Sequence, residues 1–338
     1  EYLLEPVVLN MSDTLFRMAG ERQDERMQAV AIATQLDYYY FQGTNEDSVI
    51  HYTNKVKEFA KATHQPKYYY FAWANRLITY YLKTSRTNIA LYEVQNMLKE
   101  AQEEDDKTGL SRCYNIMSQI YTIKRFDSMA FEWRLKEIEL TEKYKLENYN
   151  ISQTYAQIAN YYINQKKQKE ALAAVEKAIA TANSSTQQIS AKLEFVNYYS
   201  KFGDFQAAEK LLKECQAAFE QDKRLESIKK RLYNIECLYY QQTKQYPKAL
   251  EAAKMQEKEE RRLSESILSS IHYRTQGEIY QKMGNMNLAV KYLQMYINTD
   301  DSLKIANEQQ RIRHLIKCRK TQCRKERTHA SGTTEGVA

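Results

Sequence analysis

The chain has 338 residues, of which 28% are charged, and a formal net charge of +7. No run approaches the ~20 apolar residues that a membrane-spanning helix needs, and its 5 widely separated cysteines do not suggest a disulfide framework. The positive charge is local: residues 311 to 327 net +7 by themselves, so the rest of the chain is close to neutral and offers no extended basic surface for nucleic acid. The chain starts at Glu1, without a methionine, as expected of a processed or cut-down form whose export signal or anchor is out of view.

Residues 1–26 read as an N-terminal helical cap or linker. From 27 to 303 the sequence repeats. Tyr40, Tyr81, Tyr121, Tyr162, Tyr199, Tyr240 and Tyr280 follow one another at spacings of 41, 40, 41, 37, 41 and 40 residues. A period of this size marks stacked supersecondary units, none of which buries its apolar face alone. Nine residues after each marker stand Val49, Ala90, Ala130, Ala171, Ala208, Ala249 and Ala289, where a small side chain lets two helices approach closely. Four residues before the markers stand Leu36, Leu77, Met117, Ile158 and Phe195, on the face of the tyrosine; Glu236 and Gln276 break this row. Thirteen residues after come Val94, Val175, Leu212, Ala253 and Leu293. Each unit therefore reads as helix, short turn, helix. Gly43, Gly203 and Gly284 fall where the first helix should end in a left-handed cap, while Pro66 and Gly109 fall between units. No segment alternates with period two, so no strand is expected. Residues 304–338 read as a basic helical extension and a disordered tail.

Two stretches carry a family resemblance. Tyr273, Gly277, Tyr280, Gly284, Ala289, Leu293 and Tyr296, and again Tyr155, Ile158, Ala159, Tyr162, Ala171, Val175 and Ala178, resemble tetratricopeptide repeats. Ser118, Val196 and Cys237 stand where that family's first helix carries Gly or Ala, and its closing proline is missing. A period near 40, against about 34 in the family, implies longer helices. The resemblance implies an all-α fold: a right-handed α-solenoid of about seven antiparallel helix pairs. The chain is also similar to tetratricopeptide sensor regions of bacterial envelope-anchored regulators and sensor kinases. That similarity leans towards the periplasmic side of a cell envelope, with the cytoplasm as the alternative.

Catalytic motifs are missing: the sequence has no P-loop, GxGxxG or HExxH, and its 5 histidines are scattered. No enzyme activity and no cofactor are expected. The run His314, Cys318, Cys323, His329 matches no common zinc spacing and lies in positive surroundings, so no metal site is assigned to it. Cys113, Cys215 and Cys237 read as small core residues. Acidic runs such as Glu103–Asp106 read as solvated helix ends.

The expected binding surface lies six and two residues before each marker, one turn apart on the face of the first helix turned from the second. These offsets hold Asn75, Asn115, Asn234 and Arg274, and Gln119, Asn160, Asn197 and Glu278. An asparagine amide offers donor and acceptor, so a row of them suits the backbone of an extended peptide. Some tetratricopeptide families clamp a terminal carboxylate with lysine and asparagine pairs; here Ala156 and Leu193 stand at the lysine places, which argues against a clamp. The expected function is a non-catalytic module binding a protein or peptide segment, the sensory or scaffold part of a bacterial regulatory protein. Two alternatives fit the same residues: a self-associating scaffold, and a nucleic-acid-associated regulator working through the basic tail. A membrane contact would need an anchor that this chain does not contain.

Overall fold

The computed structural model describes residues 5–43, 45–148, 150–262, 271–302, 304, 305, 308 and 309, with backbone alone at 260–262. Among these residues the chain is helical without strands, and no helix is long and apolar enough to cross a membrane. The basic run 311–327 and the His314 to His329 run lie outside the described residues. Two compact units form: unit 1 runs to Met97 and takes in residues from Asp301 onward, and unit 2 is Leu98–Asp300.

In unit 1, α1 (Val7–Glu21) packs on α2 (Glu25–Gln42), which pairs with α3 (Glu46–Ala62). Next come α4 (Pro66–Tyr70), a π-helical stretch (Phe71–Ile78) and α5 (Thr79–Lys83), all one continuous rod, and then α6 (Thr87–Glu103). Side-chain caps start α2 and α3: Asp24 Oδ1 accepts from the Met27 N–H at 2.9 Å, and Asn45 Oδ1 from Ser48 at 3.0 Å. Pro66, expected between units, occupies the first helical turn of α4, where its missing N–H costs little. Rings fill the interior, with Tyr38, Tyr40, Tyr69, Tyr70, Trp73, Tyr80 and Tyr81 buried. Arg76 pairs with Asp37 and lies over the rings of Tyr40, Phe41 and Phe71. Phe41 stays 48% exposed.

Unit 2 repeats one motif. The pairs are α7 (Lys107–Ile123) with α8 (Asp127–Tyr144), α9 (Ile151–Asn164) with α10 (Gln168–Ala180), and α11 (Ser185–Phe202) with α12 (Phe205–Gln221). A 3-10 turn (Lys223–Ile228) leads to α13 (Lys229–Gln242) with α14 (Tyr246–Arg262), then α15 (Ile271–Lys282) and α16 (286–302). First helices α9, α11 and α13 pack side by side. Gly109, expected between units, lies inside α7, its N–H held by the Asp106 carboxylate at 3.0 Å.

All seven residues nine after a marker tyrosine are buried, as the small-residue argument requires. Gly277 explains its own size: a Cβ there would come within 2.9 Å of Leu293 Cγ, on the facing helix. Ser118, Ala159, Val196 and Cys237 fill the matching places and are buried. Burial pushes the Cys113 thiol up to about 12 and Cys215 to about 11, in keeping with inert core residues. The two exceptions four before a marker are satisfied locally. Glu236 accepts from Gln216 at 2.6 Å, and Gln276 donates to Glu257 at 2.8 Å.

The turns within units share one geometry although their residues differ. Gly43, Gly203 and Gly284 adopt φ of 68°, 90° and 79°, and Ser85, Arg125, Lys166 and Lys244 take the same left-handed conformation at 58°, 63°, 57° and 58°. In six of the seven turns the N–H five residues after the marker donates to the marker's own carbonyl, from Arg86 to Tyr81 at 2.8 Å through Asn285 to Tyr280 at 3.0 Å. This bond closes a Schellman-type cap, and it holds whether or not glycine is present.

Candidate functional site

Seven of the eight residues expected on the binding surface belong to unit 2; Asn75 belongs to unit 1. Asn75 is exposed in the π-helical stretch, and its carbonyl accepts from Arg76 Nη1 at 3.1 Å.

On α7, half-buried Asn115 spans two environments. Its Nδ2 donates to both carboxylate oxygens of Glu137 at 3.1 Å, and its Oδ1 accepts from exposed Gln119 at 2.6 Å. Glu137, on α8 and 1% exposed, also takes Asn148 Nδ2 at 2.9 Å and the Thr154 hydroxyl at 3.3 Å. Burial pushes its carboxyl above the ordinary value, while the hydrogen bonds from Asn148, Asn115 and Thr154 and the nearby Arg112 charge pull the other way. Thr108, Ser111, Arg112, Asn115, Asn148 and Asn150 line a cavity of about 20 Å³ beside it, room for a water and no more.

On α9, Asn160 is half-buried and its Oδ1 accepts from Asn164 at 3.0 Å. On α11, Asn197 is only 8% exposed and donates to Glu194 at 3.3 Å. Glu194 in turn accepts from Arg231 Nη2 of α13 at 2.6 Å, a pair that ties two consecutive first helices together. The Arg231 Nε is buried without a hydrogen-bond partner among the described residues. Asn234 follows three residues later, half-buried. On α15, Arg274 Nε donates to Glu278 at 2.8 Å.

The arrangement pairs residues four apart along each helix, amide with amide in Gln119 on Asn115 and Asn164 on Asn160, and cation with anion in Arg274 on Glu278. An amide can make four hydrogen bonds, so these pairings orient it without exhausting it. Asn197 differs, being drawn into a buried ionic cluster. The offset rule found the amides but not Glu137, Glu194 and Arg231. Their only signal is a charge at a position the helix turns inward, as Glu194 lies one residue from Leu193 and Phe195.

No protein-family model matches the sequence, and no curated protein is similar to it. Solved structures are similar in fold. The Rap conjugation gene regulator of plasmid pLS20 in complex with the Phr* peptide has a TM-score of 0.59 at 10% identity, covering 86% of this chain and 78% of that one. A Rap protein complexed with Competence and Sporulation Factor has a TM-score of 0.54 at 14% identity, covering 88% and 98%. NprR in complex with its cognate peptide NprX has a TM-score of 0.54 at 12% identity, covering 88% of each chain. At such identities the likeness is one of architecture. In its fold the chain is a tetratricopeptide-type helical-repeat protein.

Proposed function

We propose that the chain is a non-catalytic module that binds an extended peptide or protein segment along its first helices, as the sensory part of a bacterial regulatory protein. The observation that carries this reading is the row of amides at matching offsets, Asn115 and Gln119 on α7, Asn160 on α9 and Asn234 on α13, the first three oriented by hydrogen bonds along their helices. Amides spaced along successive helices suit a ligand read through its backbone, since each peptide unit offers one N–H and one C=O. Peptide complexes among proteins of the same fold support this reading.

The test passes a pool of random extended peptides over the purified chain and identifies the retained ones by mass spectrometry. Wild type retains a peptide subset, and Gln119→Ala with Asn160→Ala weakens retention of the same subset by about tenfold or more, one to two hydrogen bonds' worth, with circular dichroism unchanged. Retention of no peptide, or equal retention by the variant, sinks the reading.

A second reading, self-association, is favoured by one observation. Val7, Met11 and Met18 on α1 and Met286, Val290 and Ile297 on α16 are exposed at the same spacing of i, i+4, i+11. Terminal helices of repeat arrays normally turn a polar face outward. Light scattering over a hundredfold concentration range decides it: rising mass supports association, and constant monomer mass removes it.

A further inference from the structure

We infer that Arg125 is the clasp of a strap that closes unit 2 on itself, holding α16 against the turn between α7 and α8. In a repeat array each unit touches only its neighbours, so a bond between the first and last pairs of the unit needs its own cause. Arg125 supplies three contacts across that distance. One Nη donates to the Tyr296 hydroxyl, the other to Asp300 Oδ1 at 3.3 Å, and the guanidinium carbon stands 5.2 Å from the Tyr296 ring centre. The partners lie 171 and 175 residues further along the chain.

The clasp is built to open. Arg125 and Asp300 side chains are 38% and 21% exposed, so the pair is screened by salt and contributes little more than an ordinary surface ion pair. Arg125 also sits at φ 63°, a conformation that an L side chain adopts at a cost. Arg274 lies beside Tyr296 and holds Glu278 at 2.8 Å. The strap therefore borders Arg274 of the candidate binding surface and, through it, Glu278. A group that engages Arg274 or Glu278 acts next to Tyr296, and a ligand threading along α7 to α15 enters when the strap is released; this coupling rests on the peptide-binding reading, whereas the strap itself does not.

The test uses the full chain without ligand. Small-angle scattering gives the radius of gyration, and hydrogen exchange reports residues 286–302. Arg125→Gly removes the clasp and relieves the turn, Asp300→Asn removes the charge and leaves the turn untouched, and Lys166→Gly relieves the equivalent turn of the next repeat as the control. Exchange in 286–302 is expected to rise about fivefold in both clasp variants, the population shift that one exposed ion pair commands, with a larger radius of gyration and little change within α9–α13. Salt at 1 M is expected to move wild type the same way. Unchanged exchange and radius in both clasp variants overturn the strap, and so does an equal rise in Lys166→Gly, which would assign the effect to the turn.

Discussion

Around the α4 to α5 rod of unit 1 the chain packs rings, with Tyr69, Tyr70, Trp73, Tyr80 and Tyr81 buried and Lys57 3.1 Å from the Trp73 ring centre. The α9–α10 pair of unit 2 closes instead over Ala159, Ala171, Ala174, Val175 and Ala178. Both use the same marks, a tyrosine and a small residue nine positions on. The marks decide which faces meet; the volumes beside them decide how the meeting is filled. Close approach of helices lets alanines meet where α9 and α10 face each other in unit 2, with Tyr155, Ile158 and Ile163 packed beside them, whereas the rod of unit 1 fills the corresponding space with large rings and cations laid over them.

The comparison is broken most severely at Tyr81. Buried at 1% exposure, Tyr81→Ala is expected to lose about 3–5 kcal/mol in urea unfolding, as for a large ring deleted without collapse. In unit 2 the damaging direction reverses. Ala171→Leu inserts bulk into a contact with no space and is expected to lose about 1–3 kcal/mol, whereas Ala171→Gly costs about 1 kcal/mol by helix propensity. If Ala171→Leu unfolds at the wild-type midpoint, the close-approach account of unit 2 fails.

A smaller effect concerns the carboxyl of Glu137. Burial raises its folded value above the ordinary 4.5, so the folded state binds the proton more tightly than the unfolded chain. Its contribution is fully present below pH 4.5 and is lost as pH rises through the folded value. Glu137→Gln, which stays neutral at every pH, is therefore expected to flatten the fall in melting temperature between about pH 4.5 and 7. An identical pH profile would show that the hydrogen bonds from Asn148, Asn115 and Thr154 cancel burial. The smallest effect sharpens the turns: Lys166→Gly is expected to stabilise unit 2 by up to about 1 kcal/mol, because glycine takes positive φ without the Cβ penalty. A loss of stability would mean that unfolded-chain entropy outweighs the relief of strain.

Much of this architecture was legible because the repeat sets residues in register. The six alanines and Val49 nine after the markers, the left-handed glycines at 43, 203 and 284, and the core cysteines at 215 and 237 all follow from offsets alone. Four further turns were not legible: Ser85, Arg125, Lys166 and Lys244 carry no glycine signal, and the backbone bond to the marker carbonyl holds them in place. The amide row was legible as spacing, but Asn197 was drawn inward by Glu194, whose partner Arg231 lies 37 residues away on another helix. The contact of Arg125 with Tyr296 and Asp300 has no local signal, because nothing in one repeat anticipates a partner four repeats later.

The π-helical stretch Phe71–Ile78 has a bearing on how this chain tolerates changes of length. A π turn carries more residues per turn than an α turn, and one such bulge accommodates an added residue within a helix. Here the Thr79 hydroxyl bonds back to the Ala74 carbonyl five residues earlier, at 3.0 Å. Deleting one residue between 71 and 78 is then expected to restore a regular α-helix with α4 and α5 facing as they do now, whereas the same deletion in a regular helix would rotate everything before it by about 100°. Single-residue gain or loss along descent can thus be absorbed inside a rod as well as in its loops, and the side chains that reorient are those within the π-helical stretch.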